Sequence, residues 1–315
     1  MTGIASNQLR SAFVAESTVG TTPSSPSFTT SDVPINMTAA PNVVEHRSLA
    51  AKGEAVETAI AGIDVTGSMS GTLVYGAYDT FLESLLQGAY STNVLKSAKA
   101  TKTVTVENGI NAGVGGTLTM MRYTGVEATG GSLTLASNAE IGFSFDLTGL
   151  GSLDTTTSAI GSSSYTDQTE RAPLTSGVDV GTIAFAGYTL DAFESATINF
   201  NYEGREAQTK LGSSFTKDGI TRGALLPEIT ARVYVDTNFA TLYNAARDTN
   251  HSLFAVTFPL GSVSGKKYTL LFPKCKFVGS NIDFTGTNAM QDVTIRAMYD
   301  EATEDASVKL TRAVS

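Results

Sequence analysis

From Val65 to Tyr75 the chain alternates. Val65, Met69, Leu73 and Tyr75, with Gly67 and Gly71 among them, fall on one side, and Thr66, Ser68, Ser70 and Thr72 on the other. A period of two with one apolar side predicts a half-buried strand. The period then changes: Tyr78, Phe81, Leu82, Leu85 and Leu86 follow the three-and-four spacing of a helix with one apolar face. Thr80 and Glu83 have the spacing of a capping box, and Gly88 is placed to end the helix.

The same unit recurs in the second half. Ile229, Ala231, Val233 and Val235 alternate with Thr230, Arg232 and Tyr234, and Phe239, Leu242, Tyr243 and Ala246 repeat the helical stripe behind the caps Asp236, Thr237 and Asn238. Laid on the first unit, Met69 falls on Ile229 and Phe81 on Leu242, with one residue gained in the turn. A late strand follows in each half: Ile141, Phe143, Phe145 and Leu147 fall on Val293, Ile295, Ala297 and Tyr299. Strand, helix and late strand in one order, twice, read as an internal duplication. Chance recurrence in an α+β chain is the bland alternative.

Between and before these units the composition shifts. Residues 1–38 are rich in Ser, Thr and Pro, and Pro23, Pro26 and Pro34 forbid a helix, so the segment reads as an extended arm that needs something to lie against. Residues 39–150 form the first module and 181–315 the second. Residues 151–180, full of Ser, Thr and Gly, read as a linker or surface loop. Gly109 to Gly131 is expected to hold a hairpin around Thr117 to Tyr123. The fold class is therefore α+β, mainly β.

Composition narrows the function. The 315 residues are 41% hydrophobic, enough for a core, and only 16% charged. The net charge of -9 argues against tight binding of phosphates, which needs a surplus of Lys and Arg. The charge is uneven: residues 1–170 carry 7 Lys/Arg against 15 Asp/Glu, and 171–315 carry 14 against 15. Surfaces of unlike potential that meet head to tail would suit this, although solvated faces explain it equally. Cys275, the single cysteine, lies among Leu270, Leu271, Phe272 and Phe277 and is expected to be a buried, inert thiol. The opening residues lack a signal peptide's apolar core, and no stretch reaches membrane-span length, so neither standard secretion nor a membrane is expected.

Candidate chemistry is sparse. Ile63 to Gly71, IDVTGSMSG, resembles the metal loop of von Willebrand A domains, in which Asp64, Thr66 and Ser68 would be the oxygen ligands. The residues continue into an alternating strand and no βαβ period follows, so a metal is not expected. His46 and His251 read as surface or capping histidines. Gly109 to Gly116 has no Lys-Ser/Thr end and is no phosphate loop. Lys266, Lys267, Lys274 and Lys276 form a local basic patch that suits solvation or an acidic neighbouring subunit. No residue is nominated as catalytic, cofactor-binding or metal-binding, no cofactor is expected, and the chain is not expected to be an enzyme.

The stretches LRSAFVAESTVGTTPSSPSF (Leu9 to Phe28), VVEHRSLAAKG (Val43 to Gly53) and GSMSGTLVYGAYDTFLESLLQG (Gly67 to Gly88) together resemble the phage tail tube proteins of siphophage type, above all the larger members with two tube folds in one chain. The likeness is good over residues 9–90 and diffuse afterwards. It implies two tandem β-sandwich-like modules, each with one flanking helix. It implies trimeric, pseudo-hexameric rings of the chain, stacked head to tail around a lumen through which DNA passes without specific binding. Tail terminator, tape-measure and distal tail proteins would be further partners, and the place would be the virion tail, assembled in the host cytoplasm. The N-terminal arm is expected to bridge rings, and the Thr66, Ser68, Ser70, Thr72 face is the one nominated to line the bore. The inner tube of a contractile tail or injection system is the alternative, and a β-rich adhesin or carbohydrate-binding module a more distant one.

Overall fold

The structure is a computed structural model, and it describes residues 8–46, 57–111, 118–188, 190, 192–212, 216–247 and 253–313. The first half begins with strands β1 (Leu9–Ala15), β2 (Ser27–Ser31), β3 (Ile35–His46) and β4 (Glu57–Thr72), then helix α1 (Asp79–Leu86). Strands β5 (Val94–Lys96), β6 (Val104–Asn111), β7 (Leu118–Ala136), β8 (Gly142–Gly149), β9 (Gly151–Thr156) and β10 (Ser164–Thr166) follow. Next come the single-turn helix α2 (Ser176–Asp179) and strands β11 (Ala184–Phe185), β12 (Phe193–Glu203), β13 (Ala207–Gln208), β14 (Gly219–Ile220) and β15 (Ala224–Tyr234). Helix α3 (Phe239–Ala245) precedes β16 (Phe254–Leu260), β17 (Lys267–Asp283), β18 (Met290–Ala297) and β19 (Lys309–Ala313). The chain is mainly strand with little helix, the mainly-β class that the alternating pattern predicts.

One long antiparallel ladder runs through both halves in the order β3, β4, β8, β7, β12, β15, β18, β17. A second layer in the first half runs β10, β2, β1, β6, β7, β9, with only β10–β2 parallel. In the second half it runs β11, β16, β17, β19, β5. Strands β7 and β17 serve both layers. Each has a register shift where it passes from one to the other, at Ala128/Gly130 and at Phe277/Gly279, and a bulge bends and twists a strand at such a point.

Helix α1 lies between the layers of the first half. Phe81 packs edge-on to Phe13 of β1 at 4.9 Å and stacks with Phe145 of β8 at 6.0 Å. The apolar stripe read from the sequence is the buried face: Tyr78, Phe81, Leu82, Leu85 and Leu86 are all buried. Its ends differ from the expectation. The capping box does not form, because the helix begins at Asp79 with Tyr78 as its cap, leaving Thr80 inside the first turn. Glu83 instead accepts a hydrogen bond from the Tyr90 amide at 2.7 Å. At the other end Gln87, not Gly88, takes the left-handed conformation (φ 50°), and the Gly88 amide closes the turn onto Glu83.

Four further expectations change. The arm finds its support inside the same chain: β1 inserts between β2 and β6, and Ala12, Phe13, Phe28 and Ile35 are core residues. The proposed boundary at 38/39 falls inside β3. Residues 151–180 are not a bare linker, since they hold β9, β10 and α2, and Leu174 is buried. Their hydroxyl-rich composition disguised segments that add to an existing sheet. The late strands also align one pleat away from the sequence reading. Phe145 pairs with Met69 and Ile295 with Ile229, so Phe145 corresponds to Ile295 once Met69 is laid on Ile229. A two-residue slip leaves every side chain on its own face.

The halves share one hydrophobic cluster that runs from Phe13 and Phe81 to Phe258, Ile295 and Leu310. Polar ties cross the same seam. Glu127 on β7 receives Arg205 at 2.7 Å and Arg222 at 2.8 Å.

Candidate functional site

The long ladder has two unlike faces. Toward the core stand Met69, Phe143, Phe145, Leu133, Ile198, Ile229 and Ile295, all buried. The opposite face is polar, and the registers align its residues into rows. One row reads Ser70, Ser144, Ser132, Asn199, Glu228, Arg296, Lys276 from β4 to β17. Its neighbour reads Thr72, Gly142, Thr134, Thr197, Thr230, Thr294, Gly279. Two further rows, which reach β3, read Asn36, Ser68, Asp146 and Thr38, Thr66, Thr148. Alternation in each strand, multiplied by antiparallel pairing, turns scattered Ser and Thr residues into one surface.

Of the nominated residues, Thr66, Ser68 and Ser70 are exposed on this face, and Thr72 lies beside them half-buried. The partners on β8, β7, β12 and β18 were not nominated. Nothing in a single strand distinguishes a Ser or Thr that continues a row from one that faces bulk water, because row membership depends on register.

Charge on this face is concentrated on β15, β17 and β18, and its two arginines are matched by carboxylates. Arg232 contacts Glu194 at 3.0 Å, Asp283 at 2.9 Å and Asp292 at 3.1 Å. Arg296 contacts Glu228 at 3.2 Å. Hydrogen bonds from the Thr285 hydroxyl and amide, and then from Arg232, hold the Asp283 carboxyl down at about 2. The same carboxylate is the leading cause of an upward shift at Arg232. Guanidinium groups surrounded by carboxylates have little charge to offer a phosphate. On the first half, Asp146 is exposed among hydroxyls, and Asp64 is engaged by Lys217 and by Asn42 Nδ2 at 2.7 Å. Those hydrogen bonds, Lys217 first, lower the Asp64 carboxyl below its ordinary range.

The other motifs are dispersed. Asp64, Thr66 and Ser68 stand along one face of extended β4 rather than curling about a point. His46 ends β3 opposite Glu57, and His251 lies outside the described residues. Lys266 pairs with Glu170 at 2.7 Å, while Lys267 to Lys276 spreads over roughly 30 Å of strand at about 3.3 Å per residue, so the four lysines make no single patch. Cys275 is fully buried, and burial pushes its thiol up to about 12.

The long ladder and its hydroxyl-rich face have the form of a wall segment rather than a pocket. The family model described as phage tail tube protein matches residues 6–308 of the chain. No curated protein matches it.

Proposed function

This chain belongs to the phage tail tube protein family, and from that premise we propose that it is the structural, non-catalytic subunit of a tail tube whose bore is lined by the polar face of the long ladder. The observation that carries the reading is the continuity of that face: eight strands from both halves present hydroxyl, amide and charged groups in register, with Arg232 and Arg296 paired to carboxylates.

The order of pairings supports reading the halves as tandem tube folds. The series β3, β4, α1, β6, β7, β8 and the series β12, β15, α3, β16, β17, β18 make the same neighbour contacts in the same sequence. Each copy would then contribute two units, and three copies a pseudo-hexameric ring. Three eight-strand ladders at about 4.8 Å per strand give a wall of about 115 Å, or a diameter of about 37 Å before strand tilt enlarges it. That leaves room for a duplex between the side chains. Rings stack head to tail into an open filament, because a heterologous contact along an axis does not close. DNA then passes a lining whose arginines are already engaged by carboxylates, so it is not gripped. Assembly in the host cytoplasm, a non-contractile tail, and terminator, tape-measure and distal tail proteins at the tube's ends and interior complete the proposal.

The test is substitution of the lining. Thr134→Lys with Thr197→Lys places new unpaired cations in one row. Tubes of normal shape with slowed DNA ejection are expected, and ejection at the unsubstituted rate from such tubes would contradict the lining assignment.

A further inference from the structure

The polar face is not uniform. Near the start of β15, Leu226 stands 50% exposed on it, and Val278, the extra residue at the register shift of β17, stands 45% exposed. Together with half-buried Met298 they line a depression of about 280 Å³, which they share with the polar residues Asn201, Glu228, Lys276 and Arg296.

The first half carries different chemistry at the matching places. Laid on it with Ile229 on Met69 and Ile295 on Phe145, Leu226 falls on Thr66 and Met298 on Thr148. Lys276, opposite Arg296, falls on Gly130, opposite Asp146. Two threonines, a glycine and an aspartate in one half are thus two apolar side chains and two cations in the other. This chemistry repeats once per chain, not once per half.

The charge in the depression is unbalanced. Arg296 reaches Glu228 at 3.2 Å, while Lys276 has no carboxylate within ion-pair distance among the described residues. Two cations against one carboxylate leave an ammonium to attract an anion. A DNA duplex gains a single phosphate contact from it, and Leu226, Val278 and Met298 offer no aromatic ring on which a base could stack. A polypeptide uses both parts of the site, with a carboxylate on Lys276 and a neighbouring apolar side chain in the depression.

We infer that this depression seats a polypeptide segment in the bore, one that carries a carboxylate beside a large apolar side chain. The inference rests on the reading of the polar face as the bore lining and names what that lining holds. A ring of three copies would present three such seats, one per chain.

The experiment is an NMR titration of the full-length protein, labelled at its methionine methyls, with a capped Glu-Leu-Glu-Phe tetrapeptide. The same peptide with Gln in place of Glu, and a short DNA duplex, are titrated beside it. A saturable shift of the Met298 methyl signal is expected from the acidic peptide, and the Gln form is expected to bind about fivefold more weakly or worse. Lys276→Glu and Leu226→Thr, at half-buried and exposed positions, are expected to keep the parent melting temperature and each to weaken binding by about fivefold or more. No saturable shift, equal binding of the two peptides, or unchanged binding by Lys276→Glu would overturn the site. A stronger shift from the duplex would overturn it in favour of nucleic acid. In protein whose tubes still turn the polar face inward, each of these results leaves the bore reading standing. Tubes that turn this face outward would remove both.

Discussion

Arg205 Nη2 lies 2.7 Å from Glu127 Oε2, with both side chains 1% exposed, in the seam between the two halves. Arg222 approaches the other Glu127 oxygen from a more exposed side, and Arg205 also reaches the Ser84 carbonyl of α1 at 3.1 Å. The pair is thus a joint among β7, α1 and the second half. Removing one member of a buried pair leaves the other charge unpaired, which costs about 3–5 kcal/mol. Glu127→Ala is expected to lose stability on that scale in denaturant unfolding, with Arg205→Ala close behind. A loss under about 1 kcal/mol would show the seam does not depend on it.

Glu16 is the corresponding anchor of the N-terminal segment. Its carboxylate accepts from the Gly20 amide at 2.7 Å, the Thr103 hydroxyl at 2.7 Å, the Thr105 hydroxyl at 2.8 Å and the Gly125 amide at 2.9 Å. Hydrogen bonds to a charged group contribute about 1.5–3 kcal/mol. Glu16→Ala should lower the unfolding free energy by at least that much. Because Phe13 and Phe28 belong to the core, deletion of residues 2–38 should yield aggregated protein rather than a soluble monomer. Circular dichroism of the truncated chain checks this, and a cooperative native-like melt would refute it.

Acid should weaken the fold in a defined window. Hydrogen bonds from Thr285 and then Arg232 lower the Asp283 carboxyl to about 2, Lys217 and Asn42 lower Asp64, and Lys309 leads the lowering at Glu304 against the opposing effect of burial. A carboxyl lowered on folding adds stability that is present above its unfolded value near 4 and is lost as pH falls through the folded value. The melting temperature is expected to hold down to about pH 4 and to drop toward pH 2. Asp283→Asn should flatten part of that drop.

Alkali acts on different groups. Burial raises the Tyr268 hydroxyl well above its ordinary range, the Tyr78 hydroxyl to about 12 and the Cys275 thiol to about 12. Stability from such neutral buried groups is present below the unfolded values and is lost as pH rises toward the folded ones. Cys275 should therefore resist a thiol reagent at pH 8 in the native protein and react on unfolding. Rapid native labelling would mean that the strand around it opens.

How much of this was legible before the fold depended on the range of the signal. Strand β4 and helix α1 were readable because their periods are local, as was the recurrence of Met69 and Phe81 at Ile229 and Leu242. Strand β1 was not, since seven residues between two neighbours leave no long pattern behind Pro-rich sequence. Strands β9 and β10 hid in a hydroxyl-rich stretch for the same reason. The polar face was half visible: Thr66, Ser68, Ser70 and Thr72 announce it on β4, but Thr134, Thr197, Thr230 and Thr294 join it only through register. Buried charges such as Glu107, which receives Arg10 at 2.8 Å, and Glu127, which receives Arg205 at 2.7 Å, find partners far along the chain, and no short window of sequence contains both members of either pair.

The most direct test of the bore assignment is a reconstruction by electron cryomicroscopy of tubes assembled from this chain. The lining proposal predicts hollow tubes in which Thr134, Thr197 and Asp146 face the axis and Phe143, Ile198 and Ile229 face away from it. Tubes with that polar face turned outward, or a bore walled by any other surface of the chain, would contradict it.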